Sequence, residues 1–333
     1  MLTEKENWKR MHQGEMPEFL PKYDMMNWNV MCSLMMGGGD RKMGDGKSFT
    51  DIFGVEFVPT KETAGGPIPI PGKFILDDIR KWRDIIKVPD ISNVDWEALA
   101  KKDLKDKNVE NNPVQVHAGG GLFQNLMSFM GFTEGMCAMC EEPDEVIELL
   151  NYINDFTLEV EKNMIRYYKP DGFSIGDDNA TALNPFISPK MYREMIKPFN
   201  KVLCDIALDN DLYIQMHDCG RCEDFIDDWL ELGITSWDPA QVSNDLKGIK
   251  KKYGRKLIMC GCWDTSGPAS WLHSDDQVLK DALAEYIDTF APGGGFAYGP
   301  YVMGAIGDEN AKRKMKIIDD FYIDYARDYY KTH

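Results

Sequence analysis

The chain contains no long apolar run: nothing approaches the roughly 18 to 20 consecutive apolar residues of a membrane-spanning helix, so no such helix is expected. Met1 to Arg10 also lack the charged-then-apolar order of a secretory signal, which points to a cytoplasmic protein. Positive charge is in short supply. With 38 Lys and Arg against 55 Asp and Glu, the formal net charge is −17, a surface that repels phosphate backbones and anionic lipid headgroups. Neither nucleic acid nor a membrane is an expected partner. Eight cysteines in 333 residues are too sparse for a disulfide framework, and in a reducing compartment they stay available to metals. Repeats and low-complexity segments are absent. The run Gly119 to Gly121 is followed by neither Gly-X-Gly-X-X-Gly nor Lys-Ser/Thr, so no phosphate-binding loop is expected there.

What is present suits a large soluble core. Hydrophobic residues make up 43% of the chain and aromatic residues 11%, and the 20 methionines read as adaptable core fillers. From about residue 114 onward, short apolar runs alternate with longer segments of helical period, the pattern of parallel strands joined by helices. The runs are Val114 to His117, Gly172 to Ile175, Leu212 to His217, Thr235 to Trp237, Leu257 to Gly261 and Phe296 to Tyr298. Helices are expected over Pro143 to Tyr168, from Ser188-Pro189 to about Asp209, and over Cys222 to Leu232, Asn244 to Tyr253 and Asp275 to Phe290. Pro starts and Gly or Pro stops mark several of them.

The first hundred residues differ. Phe53 to Pro59 and Ala64 to Pro71 read as an irregular hairpin, Trp96 to Lys107 as a polar helix, and Phe19 to Met25 as the first strand. The expected fold class is therefore α/β, a distorted (β/α)8 barrel in one domain. Residues 1–110 would form an N-terminal decoration plus the first strand, and residues 111–333 the main barrel.

Reactive groups of parallel barrels gather just past the strands. Here those positions hold His117, Asp177, Asp178, His217, Asp218, Cys219, Asp238, Cys262 and Asp264. In Met216-His217-Asp218-Cys219-Gly220-Arg221-Cys222 a strand ends in His and a thiol follows two residues later. Period two turns both side chains one way, so His217 and Cys219 can grip one soft ion such as zinc. A catalytic zinc needs a third protein ligand; Cys262 is the leading candidate, with Asp177 or Asp178 as carboxylate alternatives. Cys222 is expected to start the next helix and face the core. Cys137 and Cys140 share a helical segment and read as packing. Asp177, Asp178 and His117 are the candidate catalytic groups, to position a substrate or move a proton. His12, His273 and His333 are expected to face solvent.

Several segments, taken in order, resemble the uroporphyrinogen decarboxylase superfamily, in particular its corrinoid-dependent methyltransferase branch. They are Gly176-Asp177-Asp178, Ile187-Ser188-Pro189-Lys190-Met191-Tyr192 with Lys197-Pro198, His217-Asp218-Cys219-Gly220, and Leu232-Gly233-Ile234 with Asn244-Asp245 and Lys252-Tyr253-Gly254. Gly261-Cys262-Trp263-Asp264 and Gly293-Gly294-Gly295-Phe296 close the series. Pro69-Ile70-Pro71-Gly72 with Trp82 and Asp95-Trp96 is similar to methyltransferases that demethylate aryl methyl ethers.

The resemblance implies a distorted barrel and zinc held by a His-X-Cys pair plus a later ligand. It also implies transfer of a methyl group from a small donor, a methoxylated aromatic, to the cobalt of a corrinoid (cobalamin) carried by a partner protein. A homodimer is compatible with it. Two departures bear on the alternatives. Relatives that methylate coenzyme-M-type thiols carry a later Cys after the final Gly-rich strand, where this chain has Pro300-Tyr301-Val302-Met303. Decarboxylases of the superfamily bind substrate carboxylates through N-terminal arginines, and Tyr23 to Gly39 contains none. Methyl transfer from methyl-cobalt to a thiol, a decarboxylating lyase, and a non-catalytic tetrapyrrole or metal binder are the other readings.

Overall fold

The computed structural model describes residues 1–24, 28–37, 47–60, 66–117, 119, 121–305 and 307–333. Ten strands occur among them: β1 (Asn29–Met31), β2 (Phe49–Thr50), β3 (Glu56–Pro59), β4 (Pro67–Pro69), β5 (Gln115–His117), β6 (Gly172–Gly176), β7 (Tyr213–His217), β8 (Ile234–Ala240), β9 (Ile258–Gly261) and β10 (Phe296–Tyr298). Seven of them form one sheet in the order β1-β5-β6-β7-β8-β9-β10, every neighbouring pair parallel. The segment that precedes β1 in the chain lies along the far edge. Tyr298 donates its N–H to Pro21 O at 2.8 Å and accepts from Tyr23 N at 2.7 Å, and Lys22 forms a parallel bridge with Tyr298. The N-terminal segment thus spans both ends of the sheet, and the fold is a (β/α)8-type barrel.

The buried runs from β5 onward lie where the apolar runs of the sequence put them, and the helix Pro143–Tyr168 has the expected bounds. Two expectations need correction at the start of the chain. Phe19 to Met25 gives one bridge at Lys22, Met25 lying outside the described residues, and the regular strand is β1. Pro21, without an N–H, interrupts the donor series that a ladder needs. His12 does not face solvent. It is 7% exposed, shares a 2.7 Å hydrogen bond with Thr235 Oγ1, and packs between Trp8 and Tyr213. The helix expected from Pro189 to Asp209 is two helices, Pro189–Met195 and Lys197–Asp209, because Pro198 has no N–H for the helix before it.

The inserted hairpin has three strands rather than two. β2, β3 and β4 form an antiparallel sheet between β1 and β5 in the chain, with Ala64 and Gly65 of the expected second strand outside the described residues. Phe49 and Phe57 stack across it, ring centroids 4.7 Å apart. No helix among the described residues is long and apolar enough to cross a membrane.

One buried charge-capable group stands alone in the outer layer. Glu161 of the Pro143–Tyr168 helix is fully buried, and neither carboxyl oxygen has a hydrogen-bond partner among the described residues. Desolvation pushes its pKa up to about 9, against a smaller opposing pull from Lys162. In the unfolded chain the group ionises near about 4.3, so between these values unfolding releases a proton. Its contribution to stability is complete below the unfolded value and is lost as pH rises toward the folded one. Glu161→Gln is expected to leave stability near about pH 5 little changed and to raise it by more than about 1 kcal/mol near about pH 8; urea unfolding of both proteins at the two pH values checks this.

Candidate functional site

Parallel pairing brings the C-terminal ends of β5 to β8 together. Gly176 pairs with His217, and His217 with Asp238. A Cβ on Gly176 would lie 2.8 Å from His117 Nε2 and 3.7 Å from the His217 Cβ, so these residues share the barrel interior and a side chain there would displace the His117 ring.

His217 and Cys219 do point the same way. The Cys219 Sγ lies 3.9 Å from His217 Nε2, and Asp178 Oδ1 lies 3.9 Å from the same nitrogen. The donor atoms of Asp178, His217 and Cys219 all fall within 4.8 Å of one another. A tetrahedral zinc with bonds of about 2.0 to 2.3 Å separates its ligands by about 3.3 to 3.8 Å, so small side-chain rotations would close these three on an ion. The donor set fits the metal.

The other side of His217 is braced. Its Nδ1 sits 2.9 Å from Asp238 Oδ2, the carboxylate support that fixes tautomer and ring direction in histidine ligands. Desolvation opposes protonation here, but Asp238 beside Nδ1 and then Cys219 hold the imidazole well above the usual histidine range. Desolvation raises the Cys219 thiol; His217 lowers it, and Asp178 adds to the rise. Asp178 in turn accepts from Cys219 N at 3.0 Å and from Gln124 Nε2 at 2.6 Å.

The loop that carries Cys219 is built by its neighbours. Asn244 accepts from the N–H of Cys222 and Glu223 and donates to Gly220 O. Gly220 has φ +92° and a Cβ there would lie 2.5 Å from Ala180 O, so a side chain would force the loop off the segment that follows β6. Cys222 is buried with its Sγ on Cys219 O at 3.0 Å, turned from the donor group.

Cys262, the expected third ligand, is not brought to that group, whose carboxylate member is Asp178. Cys262 is 3% exposed, has φ +57°, and lines a separate cavity of about 160 Å³ with Trp263, Asp264 and Tyr301. Asp177 is also committed elsewhere. Its carboxylate accepts from Phe123 N at 2.9 Å and Gln124 N at 3.0 Å, holding the first turn of the helix Leu122–Met130. Burial pushes its pKa up to about 7, while those two amides pull the other way. His117 Nδ1 accepts from Gly119 N at 3.1 Å, which leaves the proton on Nε2. Burial, then the charge of His217, lowers its pKa to about 4, so the ring is neutral.

His117, Asp177, Asp178 and His217 line one cavity of about 420 Å³, a volume suited to a small organic ligand. Met31, Met35, Phe49, Phe53 and Phe57 also line it, Phe49 and Phe57 from the inserted sheet. Asp238, one of the positions named past the strands, is the brace of His217; two further interior residues, Gln115 and Gln215 beneath it, escaped the sequence reading. Their signal was present as Gln115-Val116-His117 and Gln215-Met216-His217, a glutamine on the same strand face as each histidine.

The family model for uroporphyrinogen decarboxylase (URO-D) matches residues 54–320. The chain belongs to the uroporphyrinogen decarboxylase family. A solved methyltransferase from Methanosarcina mazei has a similar fold, with a TM-score of 0.65 at 14% identity over 97% of this chain and 100% of that one. No curated protein matches the chain. Within this family fold, Asp177 acts as a clamp between the end of β6 and the helix Leu122–Met130. Asp177→Ala is expected to cost about 1 to 2 kcal/mol, the range for losing a helix N-terminal acceptor, read as a lower urea midpoint at unchanged slope.

Proposed function

We propose that the protein is a zinc-dependent methyltransferase that moves a methyl group from a methoxylated aromatic to the cobalt of a corrinoid carried by a separate protein. The observation that carries this reading is the Asp178, His217 and Cys219 donor group at a cavity that Met and Phe side chains also line. Zinc bound there would polarise the ether oxygen and lower the energy of the departing phenolate. In the reaction the methyl carbon passes to cobalt, whose electron pair forms the new bond. The oxygen keeps the pair from the broken C–O bond and leaves as phenolate.

The chain's own groups then have separable tasks. Asp178, His217 and Cys219 hold the ion, and Asp238 keeps the His217 Nδ1 proton so that Nε2 faces the site. His117, neutral with its proton on Nε2, supplies a hydrogen bond to the departing oxygen. Asp177 keeps the Leu122–Met130 helix against the cavity, and Met31, Met35, Phe53 and Phe57 exclude water from the ring. Leu183, Val242, Trp271 and Met303 are exposed on loops that follow β6, β8, β9 and β10, an apolar rim suited to the corrinoid protein. The decarboxylating reading finds less support. The described lining residues include Asp51, Asp177 and Asp178 and no Lys or Arg, the wrong charge for a polyanionic tetrapyrrole.

Metal analysis of the untagged protein is expected to find one zinc, lost in His217→Ala, Cys219→Ala and Asp178→Ala. Asp238→Asn should weaken zinc about 10- to 100-fold, as removal of a ligand's hydrogen-bond partner does. Mixed with a reduced corrinoid protein and an aryl methyl ether, the wild type should yield methylated cobalt and phenol in equal amounts. Zinc content indifferent to His217→Ala, or neither product formed, would refute the reading.

A further inference from the structure

Asp177 and Asp178 hold one residue by its two ends. Asp177 Oδ1 accepts from the main-chain N–H of Gln124 at 3.0 Å, and Asp178 Oδ2 accepts from the side-chain Nε2 of Gln124 at 2.6 Å. The first contact fixes where Gln124 sits at the start of the Leu122–Met130 helix. The second fixes how the Asp178 carboxylate is turned. A carboxylate offers oxygens only, so the Gln124 amide must present its NH2 end to it.

The two oxygens of Asp178 are thereby set apart. Oδ1 lies 3.9 Å from His217 Nε2 and accepts from Cys219 N at 3.0 Å, so it is the oxygen turned to the other members of the donor group. Oδ2 is held toward the helix by Gln124. A catalytic zinc keeps three protein ligands and one open position, and a carboxylate can bind a cation through one oxygen or through both. An aspartate that swings both oxygens onto the ion takes up the open position itself. Resting on the zinc reading of this site, we infer that Gln124 is a positioning residue: it holds Asp178 to ligation through Oδ1 alone and so keeps the fourth position free for the ether oxygen of the substrate.

Hydrogen-bond partners of ligating carboxylates tune a metal site in this way. Gln124 and Asp178 both line the large cavity, so a ring bound there shields their contact from water, and a hydrogen bond is stronger in such surroundings. The hold on Asp178 is then firmest when the substrate is in place.

Cobalt(II) in place of zinc tests this without corrinoid or methyl donor, because a four-coordinate ion absorbs visible light more strongly than a five-coordinate one. The wild type is expected to give the four-coordinate spectrum and to change it when thiocyanate enters at the open position. Gln124→Leu should bind cobalt within about 10-fold of the wild type, show the weaker five-coordinate absorption, and need at least about 10-fold more thiocyanate for the same response. Gln124→Lys, which restores a donor to Oδ2, should return the wild-type spectrum. A wild type that is already five-coordinate, a Gln124→Leu spectrum like that of the wild type, or loss of cobalt from Gln124→Leu overturns the inference and leaves the metal reading standing. A wild type that takes up no cobalt overturns both.

Discussion

The mouth of this barrel is organised around the contact between Asp238 and His217. One carboxylate braces the imidazole from below through Oδ2 and, through Oδ1, orders the amide of Gln215. The two strands that carry them are adjacent and in register, so the pair is set by parallel pairing of β7 and β8 rather than by loop conformation. A rigid strand pair holds a side chain more closely than a loop does. Cys219 and Asp178, which do lie on loops, are then referred to the fixed imidazole. Asn244 pins the Cys219 loop, and Gln124 with the Cys219 amide pins Asp178.

Most of the frame could be read from the sequence, and the reason is local. From β5 onward each strand is a short buried run bounded by Gly, Pro or a charged turn, and each helix has a clear start or stop, as in Pro143–Tyr168. The pairing of His217 with Cys219 followed from period two alone. Less was legible where contacts span long separations. Cys262 follows its strand as a ligand might, but its backbone has φ +57° and the residue lines another cavity. Asp178 lies 41 positions from Cys219 and meets it only through the side-by-side placement of β6 and β7. Asp177 and Asp178 are adjacent and chemically identical. Their division into a helix clamp and a member of the donor group depends on which way each turns after β6, and nothing in the two letters encodes that. His12 was misjudged for a related reason. It ends a polar surface helix, yet Trp8 and Tyr213 enclose it from both sides.

The polar layer beneath the histidines shows how a barrel can tolerate amides in its centre. Gln115 and Gln215 are almost fully buried, positions that usually hold branched apolar side chains. Each donates along the row toward Asp238, so the donors are satisfied and the deficit collects in a few oxygens at one end.

The donor group and much of the apolar lining of the cavity come from different parts of the chain. Asp178, His217 and Cys219 follow β6 and β7, while Phe49 and Phe57 belong to the small sheet inserted between β1 and β5 and Phe53 to the turn between its first two strands. Substitutions or length changes in that insertion can remodel the shape a ligand must have without disturbing a single strand that carries the reactive groups. Such modularity gives a lineage of these barrels a way to diversify: the chemistry is inherited with the sheet, and the choice of molecule is rewritten in a segment that the sheet does not need in order to close.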